Sequence, residues 1–286
     1  MKEKPGADTK PFLPKQASDR RSILKNGTAL LGACLLTSAF RQPKSGNEQT
    51  EDPDAWFNVK KFGATGSRAD NATKAFQAAI GACTQKGGGT VFVPPGEYTV
   101  GTVQLMDNVT LHIDAGATLL LSQSKEDFKR GSRAMIFAEN AKNAAVTGRG
   151  TLDGLAQYDY KDMTGIDPEI KNEIEIARQA GQEMKRYYRR SSAMNTFMFI
   201  INDCINFKLS DVSIIHSPLW NVRLNDCDRV YIRGIHIFSD LEKGVNADGI
   251  DICSCKNVVV SDSVIVTGDD AIVLKTLASK EITLFS

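Results

Sequence analysis

The chain reads as all-β: a parallel β-helix with an N-terminal capping helix and a helical insertion. Two observations carry this, a recurring phrase and strands too closely spaced to leave room for helices between them. Asn202-Asp203-Cys204-Ile205-Asn206-Phe207-Lys208-Leu209 is echoed 23 residues later by Asn225-Asp226-Cys227-Asp228-Arg229-Val230-Tyr231-Ile232. The end of that phrase returns after 28 more residues as Cys255-Lys256-Asn257-Val258-Val259-Val260, and after another 24 as Ser279-Lys280-Glu281-Ile282-Thr283-Leu284. A period in the twenties with short strands marks a solenoid. Runs such as Val258-Val259-Val260 and Val264-Ile265-Val266 are β-branched and bounded by Asp, Ser, Asn or Gly. Coils stacked about 4.8 Å apart place equivalent residues in ladders along the axis.

In chain order, the first feature is Asp19-Arg20-Arg21-Ser22-Ile23-Leu24-Lys25 ahead of an uncharged, mostly apolar run, Gly27 to Phe40. A bilayer span needs about 20 apolar residues, so this run is too short for a stable one. Residues 1–40 resemble a twin-arginine export signal, with Thr37-Ser38-Ala39 as an acceptable cleavage site. The expected location is periplasmic or extracellular. Leu31-Gly32-Ala33-Cys34 offers a lipid anchor as the less favoured alternative. Residues 41–54, rich in Gln, Glu, Asp and Pro, read as a solvated linker, and residues 55–286 as one β-helical domain.

That domain opens with a strand within Ala55–Ala64. Asp70-Asn71 then introduces a helix, Ala72 to Lys86, whose Phe76, Ala79, Ile80 and Cys83 follow helical spacing and which Gly87-Gly88-Gly89 ends. Such a helix suits the open end of a solenoid, where an unpaired rung would template aggregation. Thr90–Tyr98, Val109–Ile113, Ala117–Leu121 and Ala145–Gly154 supply early strands. From about 155 to 195 the repeat is interrupted by a polar insertion, expected to be helical from Pro168 to Arg190 and to project over one face. Its basic end, Lys185, Arg186, Arg189 and Arg190 with Tyr187 and Tyr188, could touch an anionic polymer or simply be a solvated rim.

A formal net charge of +1 over 286 residues gives no argument for nucleic acid or membrane partners. A monomer is expected. Cys204, Cys227 and Cys255 fall at equivalent repeat positions, so stacking as small apolar residues explains them better than disulfides do. His112, His216 and His236 lack metal-ligand spacing; neither metal nor cofactor is expected.

The chemistry concentrates in Asn246-Ala247-Asp248-Gly249-Ile250-Asp251 and Gly268-Asp269-Asp270-Ala271-Ile272. Asp248 precedes Asp269 and Asp270 by 21 and 22 residues, about one coil. Three acids should therefore meet on one outer face, Asp248 a rung below the other two. A lone Asp would be read as a turn former; three in register suit acid and base work. Asp251, three residues beyond Asp248, should point to the other face and be structural. Asn246 could orient substrate or a carboxylate, and Lys275 could bind a substrate carboxylate or be a solvent-facing strand lysine. Trp220 fits either a sugar platform or core filling.

Three elements together resemble the family 28 glycoside hydrolases, the polygalacturonases. They are Phe57-Asn58-Val59 with Gly87-Gly88-Gly89-Thr90-Val91 and Pro94-Pro95-Gly96-Glu97-Tyr98, then Ser217-Pro218-Leu219-Trp220, and finally the Asn246-Ala247-Asp248 and Gly268-Asp269-Asp270 pair. The resemblance runs from Trp56 to the last residue, the insertion excepted. Ala247 stands where the family usually has Thr. The resemblance implies a right-handed, pectin lyase-like solenoid that hydrolyses α-1,4-galacturonosyl bonds of pectin or oligogalacturonate with inversion. It also implies Asp269 as general acid, and Asp248 and Asp270 holding and deprotonating the water. The family's next motifs, His-Gly and Arg-Ile/Leu-Lys, are expected beyond residue 286, making the chain truncated before its C-terminal coils. The competing expectations are a Ca²⁺-dependent polysaccharide lyase on the same fold and an inactive carbohydrate-binding β-helix.

Overall fold

A computed structural model describes residues 56–276 except 129–132, 159, 163–167, 184–187, 191–195, 242 and 245. The export segment, the linker, Cys34, Lys185, Arg186, Tyr187 and the repeat at 279–284 lie outside the described residues.

Three parallel sheets wrap one core, the first of seven strands and the second and third of six each. Each coil visits the first, second and third sheet in turn, as in Ile205–Ser210, Ser213–Ile215 and Val222–Asn225. Strand-to-strand connections in parallel sheets are right-handed, so the solenoid is a right-handed parallel β-helix. The register turns the repeats into ladders. Val91, Leu111, Val146, Leu209, Ile232 and Val260 stack in the first sheet. Tyr98, Leu119, Leu152, Ile214, Ile237 and Ile265 stack in the second. Val103, Ile136, Phe199, Val222, Ile250 and Ile272 stack in the third. Most of these side chains are fully buried, and such aliphatic burial contributes about 1.5–3 kcal/mol per side chain.

The corners explain the polar half of the repeat. Asp203, Asp226 and Ser254 share a left-handed conformation, as do Asn206, Arg229 and Asn257, and Asn and Asp tolerate that region best. Asparagine amides link coils outside the core: Asn143 donates to Asn108 and Asn206 to Asn143, each at 2.8 Å. Cys204, Cys227 and Cys255 are unpaired thiols stacked just ahead of the first-sheet strands. Neighbouring sulfurs at Cys204 and Cys255, and then burial, push the Cys227 thiol upward in pKa, so it packs as a protonated, inert group.

The capping helix spans Thr73–Gln85 and buries Phe76, Ala79, Ile80 and Cys83. The Asn71 side-chain oxygen accepts the Thr73 N–H at 2.9 Å. The opening strand, Phe57–Asn58, is short because Asn58 caps a 3₁₀ turn, Val59–Phe62, that a left-handed Gly63 closes. One expectation needs correction. The insertion helix stops at Gln179, short of Arg190. Gly181 turns the chain left-handed there, and Tyr188–Arg190 pairs antiparallel with Tyr160–Asp162 instead. The third-sheet strands Ala134–Glu139 and Phe197–Asn202 are rich in Ala, Met and Phe rather than Val and Thr, so local propensity marks them weakly and their ladder neighbours define them.

The insertion leaves after Thr151–Asp153 of the second sheet and returns before Phe197–Asn202 of the third. It therefore arises at the same corner as the loops carrying Asp248, Asp269 and Asp270. No helix among the described residues is long and apolar enough to cross a membrane.

Candidate active site

Ile250 pairs with Ile272 across the last two coils, so the residues two positions earlier, Asp248 and Asp270, lie one above the other. Val222 and Phe199 continue that register downward, which places Trp220 and then Phe197 below Asp248. One column at the corner thus reads Phe197, Trp220, Asp248, Asp270. Asp269 joins it from the side: one oxygen from each of Asp248, Asp269 and Asp270 lies within 4.8 Å of the others. The same three oxygens are close enough together to ligate one divalent cation.

Backbone contacts fix these acids. The Asp269 oxygens accept the N–H groups of Asp270 at 2.9 Å and of Asn246 at 3.2 Å. Asn246 is left-handed (φ 58°), and its backbone rather than its amide does the positioning. Asn221, which no sequence signal singles out, is fully buried. Its N–H and side-chain amide both donate to the Asp248 carbonyl, at 2.8 and 2.9 Å, and the amide also reaches Ser239 Oγ at 3.2 Å.

The glycines flanking the acids are required by close coil contact. A Cβ at Gly249 would lie 2.3 Å from the Ala271 carbonyl oxygen, and one at Gly268 would lie 2.6 Å from the Asp240 carbonyl oxygen. Overpacking of this kind costs about 1–3 kcal/mol. Gly249→Ala should therefore lower the thermal midpoint by several degrees; an unchanged melting curve would show that the coils part freely.

The electrostatics depart from the expectation for Asp251. It is fully buried and faces the cluster, with its carboxylate bonded to Lys275 Nζ. Lys275 Nζ also reaches Asp248 Oδ2 at 3.5 Å and lies 3.6 Å from the centre of the Trp220 ring. Asp248 sits in the corner, ahead of the strand that begins at Ile250. Side-chain alternation therefore does not run from Asp248 to Asp251, and the assignment of Asp251 to the opposite face fails. Lys275 is not a free strand lysine; it bridges two acids over an indole. Trp220 carries that ammonium, with the Phe197 ring edge-on at 5.7 Å, so it is neither core filler nor a bare platform.

Burial, reinforced by the charges of Asp251 and Asp269 and opposed by Lys275, pushes the Asp248 carboxyl up to about 6. Burial also raises Asp251, against the pull of Lys275. Burial works against the Lys275 ammonium, but Asp251 and Asp248 outweigh it and its pKa rises. Asp248 Oδ1 and Asp251 Oδ2 are buried and have no hydrogen-bond partner among the described residues. His216, near this corner, is a satisfied turn residue, its Nδ1 lying 3.0 Å from Asp153 Oδ1.

The profile of Glycosyl hydrolases family 28 matches residues 83–284. The chain belongs to that family. Among relatives of this family 28 chain is an endo-polygalacturonase of Pectobacterium carotovorum subsp. carotovorum, 28% identical over 92% of the chain and 64% of that protein. An exopolygalacturonase of Zea mays is 24% identical over 86% of the chain and 55% of that protein. Of solved structures, a hyperthermoactive exopolygalacturonase from Thermotoga maritima superposes with a TM-score of 0.62 at 27% identity, over 78% of this chain and 55% of that one. The polygalacturonase from Erwinia carotovora ssp. carotovora gives a TM-score of 0.56 at 25% identity, over 73% and 56%. The chain spans about half the length of the curated relatives it matches.

Proposed function

We propose that the protein is an exported glycoside hydrolase that cleaves α-1,4-galacturonosyl bonds of pectin or polygalacturonate with inversion. The observation that carries this reading is the convergence of Asp248, Asp269 and Asp270 from successive coils to within 4.8 Å. Names of relatives, polygalacturonase and exopolygalacturonase, support the substrate class. The Arg20-Arg21 segment supports export through a twin-arginine route.

Glycoside hydrolysis needs an acid at the leaving oxygen and a base at the water. With its pKa raised to about 6, Asp248 is a base matched to near-neutral solution, where its carboxylate is ionised and can take a proton from water. Asp269, oriented by two backbone donors, takes the acid role through its place in the family-like Gly268-Asp269-Asp270 motif and delivers its proton to the leaving oxygen. Asp248 and Asp270, stacked in one column, hold the water and accept its proton. Inverting carboxyl groups usually stand about 6.5–9.5 Å apart, and these nearest oxygens are closer. A water making two bonds of about 2.7–2.8 Å still spans such a gap, so the Asp248 and Asp270 oxygens can grip one water between them.

The anomeric configuration of the first product tests the mechanism. Proton NMR during early hydrolysis of polygalacturonate should show the β-anomer before mutarotation. The α-anomer would mean covalent displacement between close carboxylates, as in retaining enzymes. A chelator-sensitive, ultraviolet-absorbing unsaturated end would replace hydrolysis with lyase chemistry.

A further inference from the structure

Four carboxylates, Asp248, Asp251, Asp269 and Asp270, crowd this corner, and a polyuronate arriving there is itself an anion. Lys275 cannot balance both, since Asp251 and Asp248 already share its ammonium. Among the described residues, Arg223 is a second cation beside the site column. It occupies an outward position of the third sheet, in register with Asp251 one coil above. Its guanidinium carbon lies 5.5 Å from the ring centres of both Phe197 and Trp220, the two aromatics directly below Asp248 in the site column. Among the described residues, its Nε donates to Asn225 Oδ1 at 3.1 Å, its terminal nitrogens make no hydrogen bond, and Arg223 makes no ion pair. A planar fork held against aromatic rings, with its terminal amino groups beyond that bond, is the arrangement that grips a carboxylate in two-pronged fashion. One coil step of about 4.8 Å carries the chain from the reacting sugar to its neighbour.

We propose that Arg223, backed by Trp220 and Phe197, forms the subsite that recognises the carboxylate of the uronate residue next to the scissile bond, toward the N-terminal coils. This rests on the hydrolase reading for the position of that bond, and its selectivity is for free acid over methyl ester. Titration calorimetry with trigalacturonate and with its fully methyl-esterified form tests it. Arg223→Gln should weaken trigalacturonate binding about 10- to 100-fold, as expected for loss of a charge-assisted pair, and leave the ester unchanged. Arg223→Lys should recover only part of the loss, because it restores charge without the fork; should Arg223→Gln fail to fold, the acid-to-ester ratio of Arg223→Lys alone decides. Equal affinity of parent and variants for the acid, an equal loss for both ligands, or no binding by the parent would overturn the subsite. A parent that binds trigalacturonate without ever cleaving it would remove the hydrolase reading and leave the subsite standing.

Discussion

Asp269→Asn should lower turnover of polygalacturonate by about 10²–10⁴-fold, the usual worth of a positioned acid or base. An amide cannot give up a proton to the leaving oxygen, yet it keeps the volume of the carboxyl group. Its carbonyl oxygen can still accept one of the two backbone N–H groups that now hold Asp269, those of Asn246 and Asp270. The fold should therefore survive, and binding of trigalacturonate should change little, since recognition of its carboxylate is assigned to Arg223. The loss belongs in kcat rather than in KM, because the interaction removed exists only in the transition state. Reducing-end release under saturating polymer measures it. Undiminished turnover would strip Asp269 of its role and return the question to Asp248 and Asp270.

The part of this site that was legible in the sequence is the part that ladders determine. Asp270 follows Asp248 by the same 22 residues that separate Ile250 from its partner Ile272, so counting along the chain suffices to stack them. The stacked cysteines and the capping helix follow from equally local patterns. What could not be counted lies at the corners, where neither alternation nor period applies. A count that begins at a corner residue puts Asp251 on the wrong face. Asn221 acts through the carbonyl of a residue 27 positions away, and no spacing rule reports a side chain that braces a neighbouring coil. Trp220 belonged to a recognisable phrase, but only the register reveals that it stands beneath Asp248 and carries Lys275. In the insertion, a charged, polar run satisfies helical propensity up to Arg190, while Tyr188–Arg190 pairs antiparallel with Tyr160–Asp162 instead.

Asp248→Asn separates the contribution of that residue to chemistry from its cost to the fold. In the folded chain the Asp248 carboxyl titrates at about 6, against an ordinary value of 3.8. Between those values the folded state binds a proton that the unfolded state has released. The stability this confers is complete below the ordinary value and is lost as pH rises through about 6. Above that, the fold carries a buried, ionised carboxylate repelled by Asp251 and Asp269 and relieved only in part by Lys275. Asparagine carries no charge at any pH, so the variant should escape this loss. At pH 7 it should be more stable than the parent by about 3 kcal/mol, the shift from 3.8 to about 6 taken at about 1.4 kcal/mol per pKa unit, and the two should converge toward pH 4. Thermal denaturation of both proteins across that range reads the difference directly, while turnover of polygalacturonate by the variant should fall by at least about 10²-fold with the loss of a base. Stability profiles that run parallel from pH 4 to pH 7 would mean that Asp248 is ionised throughout and that burial at this corner is relieved by something other than a proton. A variant both more stable and inactive would mark Asp248 as a residue kept at the expense of the fold.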